Sequence, residues 1–196
     1  SDPVASVSVG SRLAALGDGA RIGVIGLGTG ALAALTKPGQ HLTFYEIDPL
    51  IDDVARAQFS YLADAAGTID VQIGDGRLLL AAEPDGAFDL VVVDAFSGDV
   101  VPVHLLTMEA IDTFRAKLAP GGLLVLHVSS RWLDLDRVLA GYATRRPDAK
   151  LAAADWNPDS VALAEGAART LAVAVANDTA TLDRLTGAGG DLWRPL

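Results

Sequence analysis

The 196-residue chain carries 15 basic against 25 acidic residues, a net charge of −10, is 51% hydrophobic and has no cysteine. That length suits one domain, residues 1–196, with room for a buried core, while the charge disfavours nucleic acid and anionic lipid as partners and suits a small cationic molecule. The missing cysteines exclude disulfides and thiolate-bound metal, and no apolar run approaches the roughly 20 residues of a membrane span, so a cytoplasmic setting without direct membrane contact is expected. A chain that opens Ser1-Asp2-Pro3 and has its only methionine at Met108 is expected to be a processed or shortened form of a longer protein.

In chain order, Leu13-Ala14-Ala15-Leu16 before Gly17-Asp18-Gly19 predicts a short helix ending in a glycine cap and packing on a sheet edge. Ile22, Val24 and Ile25 predict a buried parallel strand that breaks into Gly26-Leu27-Gly28-Thr29-Gly30, with Ala31–Leu35 opening a helix. Glycine at these alternate positions allows positive φ and a close approach of backbone to a ligand. His41–Glu46 predicts a second strand ending on an acid. Asp48 as N-cap and Pro49 at the first helical position then open a helix whose apolar positions run Ile51, Val54, Ala55, Phe59 and Leu62.

Ile69–Ile73 alternates as a third strand, stopping at Gly74-Asp75-Gly76-Arg77 before a helical segment from Leu78. Phe88–Val93 reads as a strand buried on both faces, ending on Asp94, and is followed by a polar loop to Pro102. Helical periodicity from Leu105 to Leu118 stops at Pro120-Gly121-Gly122, and Leu123–Val128 is a fifth strand. A helix over Leu133–Tyr142, an outer strand at Lys150–Ala154, a clearer strand at Arg169–Ala176 and a short helix at Thr181–Leu185 complete the pattern, before a Gly-rich tail, with a helix left open for the two alanine-rich runs. Strands alternating with helices predict an α/β fold with a doubly wound, mostly parallel sheet of about seven strands and a ligand cleft at the strands' carboxyl ends.

Four consecutive strand ends therefore bring the glycine turn, Glu46, Asp75 and Asp94 to one cleft. An acid ending the second strand can accept both ribose hydroxyls of a nucleoside, which makes Glu46 the candidate, with Ile47 beside it. Asp75 is placed to accept from an adenine amino group, with backbone such as that of Gly76 free for the ring nitrogens. Gly26, Gly28 and Gly30 would let the backbone approach the nucleoside. Each acid has the plainer alternative of capping a helix or facing solvent.

Gly-Leu-Gly-Thr-Gly, Tyr45-Glu46-Ile47-Asp48-Pro49, Gly74-Asp75-Gly76-Arg77 and Val93-Asp94-Ala95-Phe96-Ser97 together resemble the polyamine aminopropyltransferases, the spermidine synthase family, over roughly Arg21 to Leu135. Pro102–Thr107 and His127-Val128-Ser129-Ser130-Arg131 are similar to a branch often joined to membrane-spanning segments. The resemblance implies a methyltransferase-type Rossmann fold and decarboxylated S-adenosylmethionine or S-adenosylmethionine as co-substrate, without metal. The implied partner is a diamine or other small cationic substrate, with a homodimer left open. It also implies attack by a neutral amine nitrogen on the carbon beside the sulfonium, with carboxylates holding and deprotonating the ammonium.

Two departures qualify the resemblance. The family's acid loop reads Asp-x-x-Asp-Pro; here Asp94 and Asp99 stand two residues further apart and the proline is displaced to Pro102. Asp94 carries over as a catalytic and nucleoside-site residue, and Asp99 as a candidate base. The family's small amino-terminal β domain, which supplies part of its amine pocket, is expected to be absent, since about 20 residues precede the first strand. Transfer is therefore expected to be impaired, with a methyltransferase or a non-catalytic nucleoside- or polyamine-binding domain as alternatives and a dinucleotide oxidoreductase more distant. His104, at a helix start near the cleft, is read as a structural group and His127, inside a strand, as a core hydrogen-bonder, with no clustering that suggests a metal site.

Overall fold

The computed structural model describes residues 9–95, 102–129, 135–156, 170–188 and 193–196. Strands β1 (Arg21–Ile25), β2 (His41–Glu46), β3 (Thr68–Ile73), β4 (Phe88–Val93), β5 (Leu118–His127), β6 (Lys150–Trp156), β7 (Thr170–Ala176) and β8 (Trp193–Pro195) form one sheet in the order β3-β2-β1-β4-β5-β7-β6-β8. Pairing from β3 across to β5 is parallel, and the β5–β7, β7–β6 and β6–β8 pairs are antiparallel. From β1 the chain winds out through β2 to β3, then returns to the other side through β4 and β5. Strand order thus reverses between β1 and β4, which opens a crevice above their carboxyl ends. This is the methyltransferase-type Rossmann fold expected from the sequence.

Helices α1 (Gly10–Ala15), α2 (Pro49–Gln58), α3 (Gly76–Ala82), α4 (Met108–Ala116), α5 (Leu135–Arg145) and α6 (Thr179–Ala188) cover both faces. Alternation within each central strand explains why two layers form. In β4, Leu90 and Val92 join one apolar cluster with Leu13, Ala55 and Leu182, while Val91 and Val93 join another with Leu80, Ile111, Phe114 and Leu139. Continuous apolar strands are what burial on both faces demands.

Several local expectations are corrected. Among the described residues the sheet has eight strands, in keeping with the seven or so expected; the unexpected one is Trp193–Pro195, which pairs with Ala152–Ala154 where only a tail was expected. Leu13 of α1 and Val9 just before it are buried against Ile22 and Val24, on a sheet face and not on an edge. Ala31–Leu35 is a single 3₁₀ segment ending at Thr36. α2 stops at Gln58, so Phe59 leaves the helix and stacks on Tyr61, with ring centroids 5.9 Å apart. The stretch from Leu105 divides into a 3₁₀ turn at Val103–Leu105 and α4, which Thr107 caps by accepting from Ala110 N–H at 3.2 Å. β5 already begins at Leu118, and its irregular pairing with β4 accommodates the Pro-Gly-Gly step. Among the described residues no helix is long and apolar enough to cross a membrane.

Candidate functional site

The crevice above β1 and β4 is a cleft of about 400 Å³, and Gly26, Gly28, Glu46, Ile47, Asp75, Gly76 and Asp94 are among its lining residues. Gly26 continues β1 by donating its N–H to Tyr45 O at 2.9 Å, then turns at φ 99. A Cβ at Gly26 would stand 2.3 Å from Asp94 O, so only glycine lets the turn and the end of β4 come together. Gly28 (φ 54) has open space where a side chain would be. Gly30 serves the turn from behind: it caps the 3₁₀ segment in the left-handed region at φ 76, and a Cβ there would press on Leu62.

Glu46 is nearly buried, with 8% of its surface exposed. Leu27 N–H donates to its Oε2 at 2.9 Å and Asp48 N–H to its Oε1 at 3.0 Å, so the carboxylate braces the glycine turn from the end of β2. Each oxygen retains a second acceptor direction. Ile47, beside it, is 68% exposed at the cleft lip. Asp75 caps α3, its Oδ1 accepting from Arg77 N–H at 2.9 Å and Leu78 N–H at 3.2 Å. The cap and the cleft position coexist, since both hydrogen bonds fall on one oxygen. Gly76 brings the start of α3 onto β1, where a Cβ would meet Ile25 Cγ2 at 2.6 Å.

Asp94 leaves β4 with its N–H donating to Ile25 O at 2.9 Å. Its side chain is bound differently from the other acids: Oδ1 lies 2.6 Å from His127 Nδ1, and His127 Nε2 lies 2.7 Å from Ser129 Oγ. His127 is the last residue of β5, and its ring is turned to the strand end. Sequence reading made it a core hydrogen-bonder inside a strand, without its partners; the hydrogen bonds are there, and they run to Asp94 and Ser129. The missed signal was register: Val93 pairs with Leu126 in the parallel β4–β5 ladder, so Asp94 and His127 are the next step of both strands.

His104 lines the cleft from the 3₁₀ turn, and its carbonyl accepts from Arg77 Nη1 at 2.9 Å, tying that turn to α3. Tyr45 lies beneath, its hydroxyl donating to Glu83 Oε1 at 3.1 Å; burial, then the Glu83 carboxylate, push its pKa well up. Asp99 falls outside the described residues. Among the described lining residues Glu46, Asp48, Asp75 and Asp94 are carboxylates and none is lysine or arginine. Such a cleft favours a cation, and no His/Cys/Asp/Glu group among the described residues is arranged to hold a metal ion.

No protein-family model matches the chain. In sequence it is 34% identical over 127 residues to the polyamine aminopropyltransferase of Vibrio vulnificus (strain CMCP6), a match covering 62% of this chain and 42% of that protein. The fold is similar to that of a probable spermidine synthase from Corynebacterium glutamicum, with TM-score 0.66 and 17% identity over 98% of this chain and 72% of that one. It is also similar to human methyltransferase-like protein 13 in complex with SAH, with TM-score 0.61 and 21% identity over 94% of this chain and 87% of that one. The chain thus resembles the polyamine aminopropyltransferases in sequence, and it spans about two fifths of the length of the Vibrio relative.

Proposed function

We propose that this chain is a spermidine synthase-like aminopropyltransferase domain, taking decarboxylated S-adenosylmethionine and a diamine. The observation that carries the reading is the cleft whose described lining includes four carboxylates and no lysine or arginine, at the point where strand order reverses. Sequence similarity to a polyamine aminopropyltransferase supports it. In this reading Glu46 accepts the ribose hydroxyls through its remaining acceptor directions, the Gly26–Gly30 turn lets backbone lie against the nucleoside, and Ile47 covers one face of the base. Asp75 and the Gly76 amide address its polar edge.

Asp94 holds the amine. With its ammonium proton passed to a carboxylate, for which Asp99 is the candidate, the nitrogen attacks the carbon beside the sulfonium. The new C–N bond forms as the C–S bond breaks, its electron pair returning to sulfur and releasing methylthioadenosine. Because Asp94 and Asp99 are spaced more widely than in the family pattern, this chain by itself is expected to bind the nucleoside and transfer slowly or not at all. That spacing, together with the likeness to a methyltransferase in complex with SAH, keeps a methyltransferase as the second reading.

Calorimetric titration with S-adenosylmethionine, its decarboxylated form and methylthioadenosine, each with and without putrescine, separates the readings. Preference for the decarboxylated form and for methylthioadenosine with putrescine is expected. Preference for S-adenosylmethionine with no response to putrescine would replace the aminopropyl reading by the methyl one. Robust spermidine formation abolished by Asp99→Asn would show that the longer loop works and overturn the expectation of impairment.

A further inference from the structure

The contacts of His127 form a relay that crosses from the parallel to the antiparallel half of the sheet. Val128 N–H donates to Leu171 O at 2.8 Å, and Leu171 N–H donates to Ser129 Oγ at 2.8 Å, so β7 holds the Ser129 hydroxyl just beyond the end of β5. That hydroxyl meets His127 Nε2, and His127 Nδ1 meets Asp94 Oδ1. Proton accounting orients the relay. The Leu171 amide takes one acceptor direction on Oγ, and the hydroxyl still carries a proton to give. Within these contacts each proton is used once if the hydroxyl donates to a bare Nε2 and Nδ1–H donates to Asp94. A neutral ring leaves the Asp94–His127 pair with its full negative charge, whereas an imidazolium would cancel the charge that a cation needs.

We propose that His127 is a positioning residue for Asp94: held by Ser129 as the neutral Nδ1–H tautomer, it fixes Asp94 Oδ1 and leaves Oδ2 as the acceptor for a cationic nitrogen in the cleft. The second half of this rests on the amine reading given above. Among the described residues Asp94 Oδ2 has no recorded partner, and the Asp94 side chain is 36% exposed against 17% for His127. A carboxylate held at one oxygen by a ring that is itself held loses the freedom to swing about its Cα–Cβ bond, so its other oxygen is pre-set for a ligand.

Two measurements on the whole chain test this. In a long-range ¹H–¹⁵N spectrum at neutral pH, with the His127 signals assigned by their loss in His127→Asn, one protonated and one bare ring nitrogen in the Nδ1–H pattern are expected. An Nε2–H pattern or an imidazolium would overturn the proposal. In the second, putrescine is titrated onto the methylthioadenosine complex. His127→Leu is expected to weaken putrescine roughly tenfold or more. His127→Asn, whose amide can stand where Nδ1 stood, should recover most of the affinity. Circular dichroism and a cooperative melt report folding of each variant. A folded His127→Leu protein that binds putrescine like the parent overturns the positioning role. A parent that shows the expected tautomer but ignores putrescine would sink the amine reading and the role of Oδ2, while the anchoring of Asp94 stands on the spectrum alone.

Discussion

The cleft and the far corner of the molecule, where α4 and α5 meet the end of β7, both concentrate acids but use them in opposite ways. In the cleft, Glu46, Asp48 and Asp75 accept from backbone amides. At the corner the acids are paired with arginine. Arg115 Nη2 donates to Asp148 at 2.8 Å, its Nη1 to Tyr142 at 3.1 Å and its Nε to Asn177 at 2.9 Å. Asp112 accepts from Tyr142 at 2.7 Å and from Arg146 through both of its oxygens. Hydrogen bonds from Arg146 hold the Asp112 pKa down, and those from Arg115 do the same for Asp148. An amide satisfies a carboxylate without cancelling its charge; a guanidinium cancels it. Acids left charged by backbone donors are available to a cationic ligand, and acids matched by arginine serve to lock elements together.

The largest effect that would break this contrast is at Glu46. Glu46→Ala is expected to weaken methylthioadenosine by about 1.5–3 kcal/mol, the range for hydrogen bonds to a charged group. It should also lower stability by about 1–3 kcal/mol, because the buried Leu27 amide loses its acceptor. Calorimetry and denaturant melts read the two separately, and an affinity equal to the parent's in a folded variant would refute the ribose role. Arg115→Ala should do the reverse, costing about 2 kcal/mol of stability with nucleoside affinity unchanged. The cost stays below that of a fully buried pair because the Asp148 side chain is 66% exposed.

Asp75 sharpens the comparison by separating cap from ligand. Asp75→Ala removes an N-cap and should cost about 1 kcal/mol of stability. Asp75→Asn keeps an acceptor for Arg77 and Leu78 N–H and should leave stability nearly intact while weakening the nucleoside modestly. Equal, parent-like binding by both variants would remove the adenine assignment.

The smallest effects are in pH. Asp112 and Asp148 have folded pKa values below their unfolded ones, so their contribution is present above about pH 4 and lost as pH falls through the folded values. It should amount to less than about 1 kcal/mol at such exposed groups. Tyr142 has the opposite sign: burial raises its pKa to about 12, so stability it contributes below about pH 10 is lost as pH rises through that value. Tyr142→Phe should flatten the alkaline decline and Asp112→Asn the acid one, in thermal melts across pH; neither change is expected from a cleft variant such as Asp75→Asn.

The strand succession, the glycine turn and the acids that follow the strands were legible in the sequence because each is a local signal. Apolar runs of strand length, a Gly-x-Gly step and an Asp-Pro helix start require only neighbours along the chain. Parallel winding then brings every such strand end to one side, which is why Glu46, Asp75 and Asp94 line a common cleft. What the tertiary structure alone decided involves partners distant in sequence. The Asp94–His127–Ser129 relay depends on the register of β4 with β5 and on β7 returning antiparallel. The Arg115 corner depends on where α5 ends against α4. The 3₁₀ turn after Gly30 and the eighth strand at Trp193 were hidden for the same reason. Ala-rich and Gly-rich segments have weak intrinsic preferences, and packing against Leu62 or pairing with Ala152–Ala154 settles a conformation that periodicity cannot.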